Sequence, residues 1–185
     1  MARRARRSSC SSASAATTSS TAAGCYRPPG TIRPVETGGR PVGRGHRVVV
    51  SVAVAAPPDR VWRALTVPAE VEEWDGVRAL AVPGDYPGPG QHARWRTRLG
   101  PWPLTLHDRV REVVAGRRLA ADLRVGFAVV EEEYQVVASG TGTVVVSSNV
   151  VSSPVPGLGL AALLLVRRAV PRSMARLGAY CAAHP

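Results

Sequence analysis

From Val77 to about Ser152 the chain reads as one strand after another, with turns too short to hold a helix between them. Gln91 to Leu99 alternates cleanly: Ala93, Trp95, Thr97 and Leu99 on one side, His92, Arg94, Arg96 and Arg98 on the other. Successive side chains of a strand point to opposite faces, so this pattern gives one buried face and one solvated face. After the Gly100-Pro101 turn, Leu104, Leu106 and Val110 continue on one face, with Asp108 among them. Arg118 to Val125 and Val129 to Ala138 follow. Ser139-Gly140-Thr141-Gly142 then makes a hairpin turn into a last strand, Thr143 to Val151. Strands joined this closely form an antiparallel meander.

Helical signals bracket the meander. Val48-Val49-Val50-Ser51-Val52-Ala53-Val54 is a β-branched first strand. Pro57-Pro58-Asp59 then opens a helix, with proline allowed in the first turn and an acid beside the positive dipole end. Its buried stripe is Val61, Trp62 and Leu65. Pro68 starts a second short helix, with Val71 and Trp74 inward and Glu70, Glu72 and Glu73 toward water. Beyond Pro154 and Pro156 the chain is helical. Val170, Met174, Leu177 and Cys181 form its inner stripe, and Arg168, Arg172 and Arg176 its outer face. Pro171 lies inside that pattern and is expected to kink or split the helix. The fold class expected from this pattern is α+β, a meander of six or seven antiparallel strands followed by a long C-terminal helix.

Charge sets the first quarter of the chain apart. All 24 basic residues are Arg, against 13 acids, for a net +11. Residues 1–47 hold nine of those Arg and one acid, Glu36, so most of the excess lies outside the strand-and-helix pattern. That weakens a nucleic-acid-binding reading, which needs the charge on a folded face. Residues 1–46, rich in Arg, Ser, Ala, Gly and Pro, lack the large apolar residues needed to offset ordering entropy. They are read as a disordered tail, with an organelle transit peptide as the alternative, and residues 47–185 as the folded domain.

Several function classes fall away. Three Cys, at 10, 25 and 181, match neither a disulfide scaffold nor a zinc pattern. The apolar run Leu158 to Val166 is about half of what a membrane-spanning helix needs. Gly157-Leu158-Gly159-Leu160-Ala161-Ala162 fits GxGxxA, but no βαβ unit or ribose-holding acid follows it. His107 and Asp108 are adjacent on a strand, point to opposite faces, and cannot orient each other as a dyad. No cofactor, metal or nucleic acid is expected, and a cytoplasmic location is.

The stretch Val52-Ala53-Val54-Ala55-Ala56-Pro57-Pro58-Asp59-Arg60-Val61-Trp62-Arg63-Ala64-Leu65, followed by Trp74, resembles the opening of the START-like (SRPBCC) superfamily. Gly140-Thr141-Gly142-Thr143-Val144 resembles its late hairpin, and the helix bearing Leu177 and Tyr180 its ending. The resemblance covers about residues 47–183. It implies a helix-grip fold, in which the curved sheet wraps around the long C-terminal helix, and the polyketide cyclase/dehydrase and lipid-transport group. It also implies a cavity between the sheet and the C-terminal helix for an apolar or amphipathic small molecule.

The side chains expected at that cavity are Trp95, Thr97, Leu106, Asp108, Glu132, Tyr134, Val146, Ser148 and Met174. For Glu131-Glu132-Glu133 the face Val130/Glu132/Tyr134/Val136 is the better inward candidate, although either register places an acid awkwardly. Asp108 faces inward unless a bulge turns it out. Arg94, Arg96 and Arg98 form a solvated outer row. The leading functional expectation is binding, with possible transport, of an apolar or aromatic small molecule such as a lipid or polyketide-like metabolite. The alternative is a cofactor-independent polyketide cyclase/dehydratase, with Asp108 as base, Tyr134 as proton donor and Arg124, if it faces inward, steadying an enolate. A chain starting near Gly45 is expected to keep the full-length melting temperature. A drop of many degrees would show that the preceding residues dock on the domain.

Overall fold

The structure is a computed structural model that describes residues 45–155 and 157–185, with the two-residue strands β1 (Ile32–Arg33) and β2 (Pro41–Val42). Most of the expected tail lies outside the described residues. β1 and β2, from within that stretch, pair antiparallel with β3 (Gly45–Val54). Two helices follow, α1 (Pro58–Thr66) and α2 (Pro68–Asp75). The remaining strands are β4 (Arg78–Ala81), β5 (His92–Leu99), β6 (Trp102–Val114), β7 (Arg118–Val125), β8 (Ala128–Ser139) and β9 (Gly142–Ser152), and α3 (Leu158–Ala183) ends the chain.

The seven strands β3 to β9 form one antiparallel sheet in the order β3-β9-β8-β7-β6-β5-β4, so the first of them pairs with the last. This is the α+β helix-grip architecture expected from the sequence. Val48, Val50, Val52 and Val54 of β3 are all buried, and Met174, Leu177 and Cys181 of α3 pack in the same cluster. α3 runs as one helix through Pro171 and is not split there. The lost backbone bond is one among many in a helix of 26 residues held by its packed face.

Trp62 is only partly buried against this cluster, where the helical stripe predicted full burial. The fully enclosed positions of α1 are Val61 and Ala64, so the buried arc is centred away from Trp62. Trp74 is buried, and its indole N–H donates to the Ala64 carbonyl oxygen at 2.7 Å, which locks α2 onto α1. Gly76, at φ 72°, ends α2 in the left-handed region that favours glycine, leaving Asp75 at the helix end.

Met174 is fully enclosed at the centre of the helix–sheet contact. Met174→Ala is therefore expected to cost about 2 to 5 kcal/mol, the range for emptying a buried methionine site. An unchanged urea midpoint would mean that α3 contributes little to the core.

Candidate functional site

Strand register decides which side chains reach the concave face. Trp95 pairs with Leu106, Ala93 with Asp108, Asp108 with Leu123, Ala121 with Glu132, and Leu119 with Tyr134. Across β5 to β8 these residues share the inner surface. The β6–β7 register shifts between Val110 and Glu112, beyond Asp108, so Asp108 keeps its inward phase and is 7% exposed. A cavity of about 90 Å³, opening to solvent, lies over this surface. Leu65, Val71, Trp74, Asp75 and Val77 close it from the α1–α2 side, and Tyr86 reaches in from the β4–β5 loop. No α3 residue lines it. The expected cavity between sheet and C-terminal helix is thus corrected to one between the sheet, α2 and the β4–β5 loop.

That loop is tied down at several points. The Gly90 N–H donates to the Val110 carbonyl at 2.9 Å, and the Val110 N–H to the Gln91 carbonyl at 3.0 Å. The Gln91 side chain accepts from the Gly88 N–H at 2.6 Å and donates to Asp85 at 2.8 Å. Tyr86 is thereby held with its ring edge-on to Trp95, centroids 5.9 Å apart, and its hydroxyl donates to Asp108 Oδ2 at 2.7 Å. Asp108 Oδ1 is buried without a hydrogen-bond partner. On the opposite wall the Tyr134 hydroxyl donates to Glu132 Oε1. At the rim the Ser173 hydroxyl donates to Asp75 Oδ1 at 2.6 Å, joining α3 to the end of α2.

Burial dominates the electrostatics. It pushes the Asp108 carboxyl above its ordinary range, against the hydrogen bond from Tyr86 and the neighbouring Trp95 indole. Asp75 is raised for the same reason, opposed by Ser173 and Arg176. Burial takes Glu132 up to about 7, with Tyr134's hydrogen bond lowering it and the Asp108 and Asp75 charges raising it. Both phenols, Tyr86 and Tyr134, are pushed far above their ordinary value by burial and adjacent carboxylates.

Of the residues read from the sequence, Trp95, Leu106, Asp108, Glu132 and Tyr134 line the cavity together. The others do not. β9 is buried at Thr143, Val145, Ser147, Asn149 and Val151, so Val146 and Ser148 lie on the outer face, one residue out of phase with the expectation. The Ser148 hydroxyl there accepts from Arg47 Nε at 3.0 Å. Thr97 is past the cavity, in a groove with Arg78, Arg96 and Arg98. Met174 is core and is not among the residues that line this cavity. Arg124 is exposed and shares an outer hollow with His107 and Arg109, so it steadies nothing inside. Sequence reading missed Tyr86 and Asp75, which reach the cavity from a loop and a helix end. It also missed buried Ser147 and Asn149, inward neighbours of Tyr134 and Glu132 across the β8–β9 pair.

Residues 45–182 match the family described as polyketide cyclase / dehydrase and lipid transport. Among solved structures, a protein from Rhodobacter sphaeroides is similar at 21% identity and TM-score 0.61, covering 84% of this chain and 99% of that one. CalU16 from Micromonospora echinospora is similar at 19% identity and TM-score 0.57, covering 81% and 82%. DynU16, a protein of the dynemicin biosynthetic locus, is similar at 24% identity and TM-score 0.56, covering 72% of this chain and 46% of that one. No protein of curated function matches the chain.

Glu132 provides a pH test of the site. A carboxyl whose folded value of about 7 lies above the ordinary 4.5 keeps a proton that the unfolded chain releases. Its contribution to stability is full below 4.5 and lost as pH rises through about 7, at most about 3 kcal/mol. Urea midpoints should therefore fall between about pH 5 and about pH 8, and Glu132→Gln should flatten that fall. An equal slope in both proteins would place the Glu132 side chain in water.

Proposed function

The chain belongs to the polyketide cyclase/dehydrase and lipid transport family, and from that premise we propose that it binds a small apolar or aromatic molecule in the cavity under α2. The observation that carries this reading is the wall itself. Trp74, Trp95, Leu106, Leu119 and Leu123 give an apolar surface, into which two hydrogen-bonded carboxyl–phenol pairs converge. Apolar walls with a few placed polar groups are what small-molecule sites have in common. A cavity of about 150 Å³ holds benzene, so at about 90 Å³ the enclosed part here takes less than one such ring. Larger ligands extend into the mouth. Release to a second site (transport) and a cytoplasmic location belong to the same proposal; among the described residues no helix is long and apolar enough to cross a membrane.

Acid–base catalysis in the same cavity is the second reading. One observation favours it: Glu132, held near 7, can both give and take a proton at neutral pH. The small enclosed volume counts against folding a long poly-β-keto chain there, which is why binding leads.

Native mass spectrometry of the full chain tests the proposal. One small-molecule adduct per chain is expected, and Ala121→Phe, which fills the cavity from β7, should abolish it with melting little changed. An adduct that survives the filled cavity would place the binding elsewhere.

A further inference from the structure

The cavity has an unusual charge inventory for this chain. Its ionisable lining is Asp75, Tyr86, Asp108, Glu132 and Tyr134, with no Arg or His among them. Yet the chain carries 24 Arg, and five carboxylates outside the cavity take guanidinium partners. Glu70 pairs with Arg60 and Arg63, Asp122 and Glu131 with Arg111, and Glu112 and Glu133 with Arg118. In the cavity no carboxyl is hydrogen-bonded by a guanidinium: Tyr86 donates to Asp108, with the Trp95 indole beside it, Tyr134 to Glu132, and Ser173 to Asp75. Carboxylates that leave water are normally paired with a cation, since an unpaired buried charge is strongly disfavoured.

A second observation is independent of charge. Asp108 is more than nine-tenths buried, and its Oδ1 has no donor at all. A buried acceptor without a partner calls for an explanation. Here Oδ1 belongs to a cavity-lining side chain that Tyr86 already fixes by its other oxygen. That oxygen is placed to accept an N–H or O–H offered from the cavity. The aromatic surroundings, Trp74, Trp95 and Tyr86, favour a cation further, because their ring faces attract one. The three carboxyls do not form a metal-holding set, which directs the inference toward an organic cation.

We propose that the molecule bound here is a small amine in its protonated form, whose ammonium group donates to Asp108 and whose apolar body lies against the tryptophans. The inference rests on the reading of this cavity as a ligand site. It predicts a linkage with pH. Protonated carboxyls attract an ammonium weakly and ionised ones strongly, so affinity rises with pH as the site loses its protons. The groups acting on Asp108 are Tyr86 from the loop, Trp95 and His92 from β5, and Asp122 from β7. Glu132 feels Tyr134 on its own strand, Asp108 and Asp75, while Arg176 and Ser173 of α3 act on Asp75. Arg176 reaches the Asp75 backbone carbonyl at 3.2 Å and supplies no donor to Asp108.

Three probes of nearly one shape separate the possibilities: benzylamine, benzyl alcohol and benzoate, titrated into the full chain while the tryptophan indole N–H signals are followed by NMR. At about pH 8, benzylamine should bind at least about tenfold more tightly than benzyl alcohol, with benzoate weakest. The amine preference should shrink at about pH 5. Asp108→Asn should remove most of the preference while leaving benzyl alcohol binding in place. If that variant does not fold, Asp75→Asn at the rim gives a smaller loss in the same direction. Equal or tighter binding of the alcohol or of benzoate would overturn the cationic ligand and leave the cavity a ligand site. If none of the three moves the Trp95 signal, the ligand-site reading itself fails.

Discussion

A carboxyl on the concave face of this sheet must be solvated from within the protein, and the cavity is arranged around that requirement. Asp108 cannot turn outward alone, because the pleat ties its direction to Leu106 and Val110. A slip of one residue would carry His107 and Arg109 inside and the apolar row out. The bulge that could have released it comes only after Val110. The carboxyl is met by Tyr86, from a loop bonded at Gly90 and Gln91 to β6 itself. This hydrogen bond adds to the backbone ties between the loop and β6, and the edge-on contact with Trp95 extends the coupling to β5. Without a fixed Tyr86 the carboxyl would keep a second unmet oxygen in an apolar wall, at a cost of about 1 to 3 kcal/mol.

The same pleat sorts charge. On β5 to β7 the guanidinium groups of Arg94, Arg96, Arg98, Arg109 and Arg124 stand at exposed positions, while Trp95, Leu106, Asp108 and Leu123 line the inside. The sheet therefore separates a strongly basic exterior from an acidic interior only one residue away in sequence. Each arginine is close along the chain and yet cannot pair with an inward carboxyl, since adjacent side chains of a strand point apart. The buried acids consequently rise in pKa, where elsewhere in the protein Glu133 is lowered by Gln135 and Arg118.

Legibility from the sequence followed contrast. In β5 and β6 polar and apolar residues alternate, so the phase of Trp95 and Leu106 could be read directly, while Asp108 stayed open between that face and a bulge. β8 was harder, because three consecutive glutamates blur the period; Tyr134 and Val136 favoured one face without deciding it. β9 could not be phased. Val144-Val145-Val146 and Val150-Val151 look alike on both faces, and Ser147 and Ser148 are chemically identical. Only the pairing of β9 with β8, Ser147 opposite Tyr134 and Asn149 opposite Glu132, resolves it. Tyr86 and Asp75 escaped for another reason: their role comes from where a loop and a helix end are tied in space, and no local period encodes that.

The carboxyl–phenol pairs also constrain what chemistry the cavity could support. A tyrosine serves as proton donor when its pKa is brought toward that of the group it protonates. Here burial and an adjacent carboxylate move both phenols the opposite way, and each hydroxyl proton is already held by a carboxylate oxygen. Tyr134 is therefore poorly suited to the proton-donor role that its sequence position suggested. Glu132 is better matched, since its value of about 7 places both protonation states within reach at neutral pH. In such a scheme Tyr134 positions Glu132, Tyr86 positions Asp108, and the two carboxyls share the proton traffic. A bound ammonium would quench that arrangement by stabilising both carboxylates, so a site filled by a cation acts as a receptor, and one filled by a neutral carbonyl compound retains the means for acid–base chemistry.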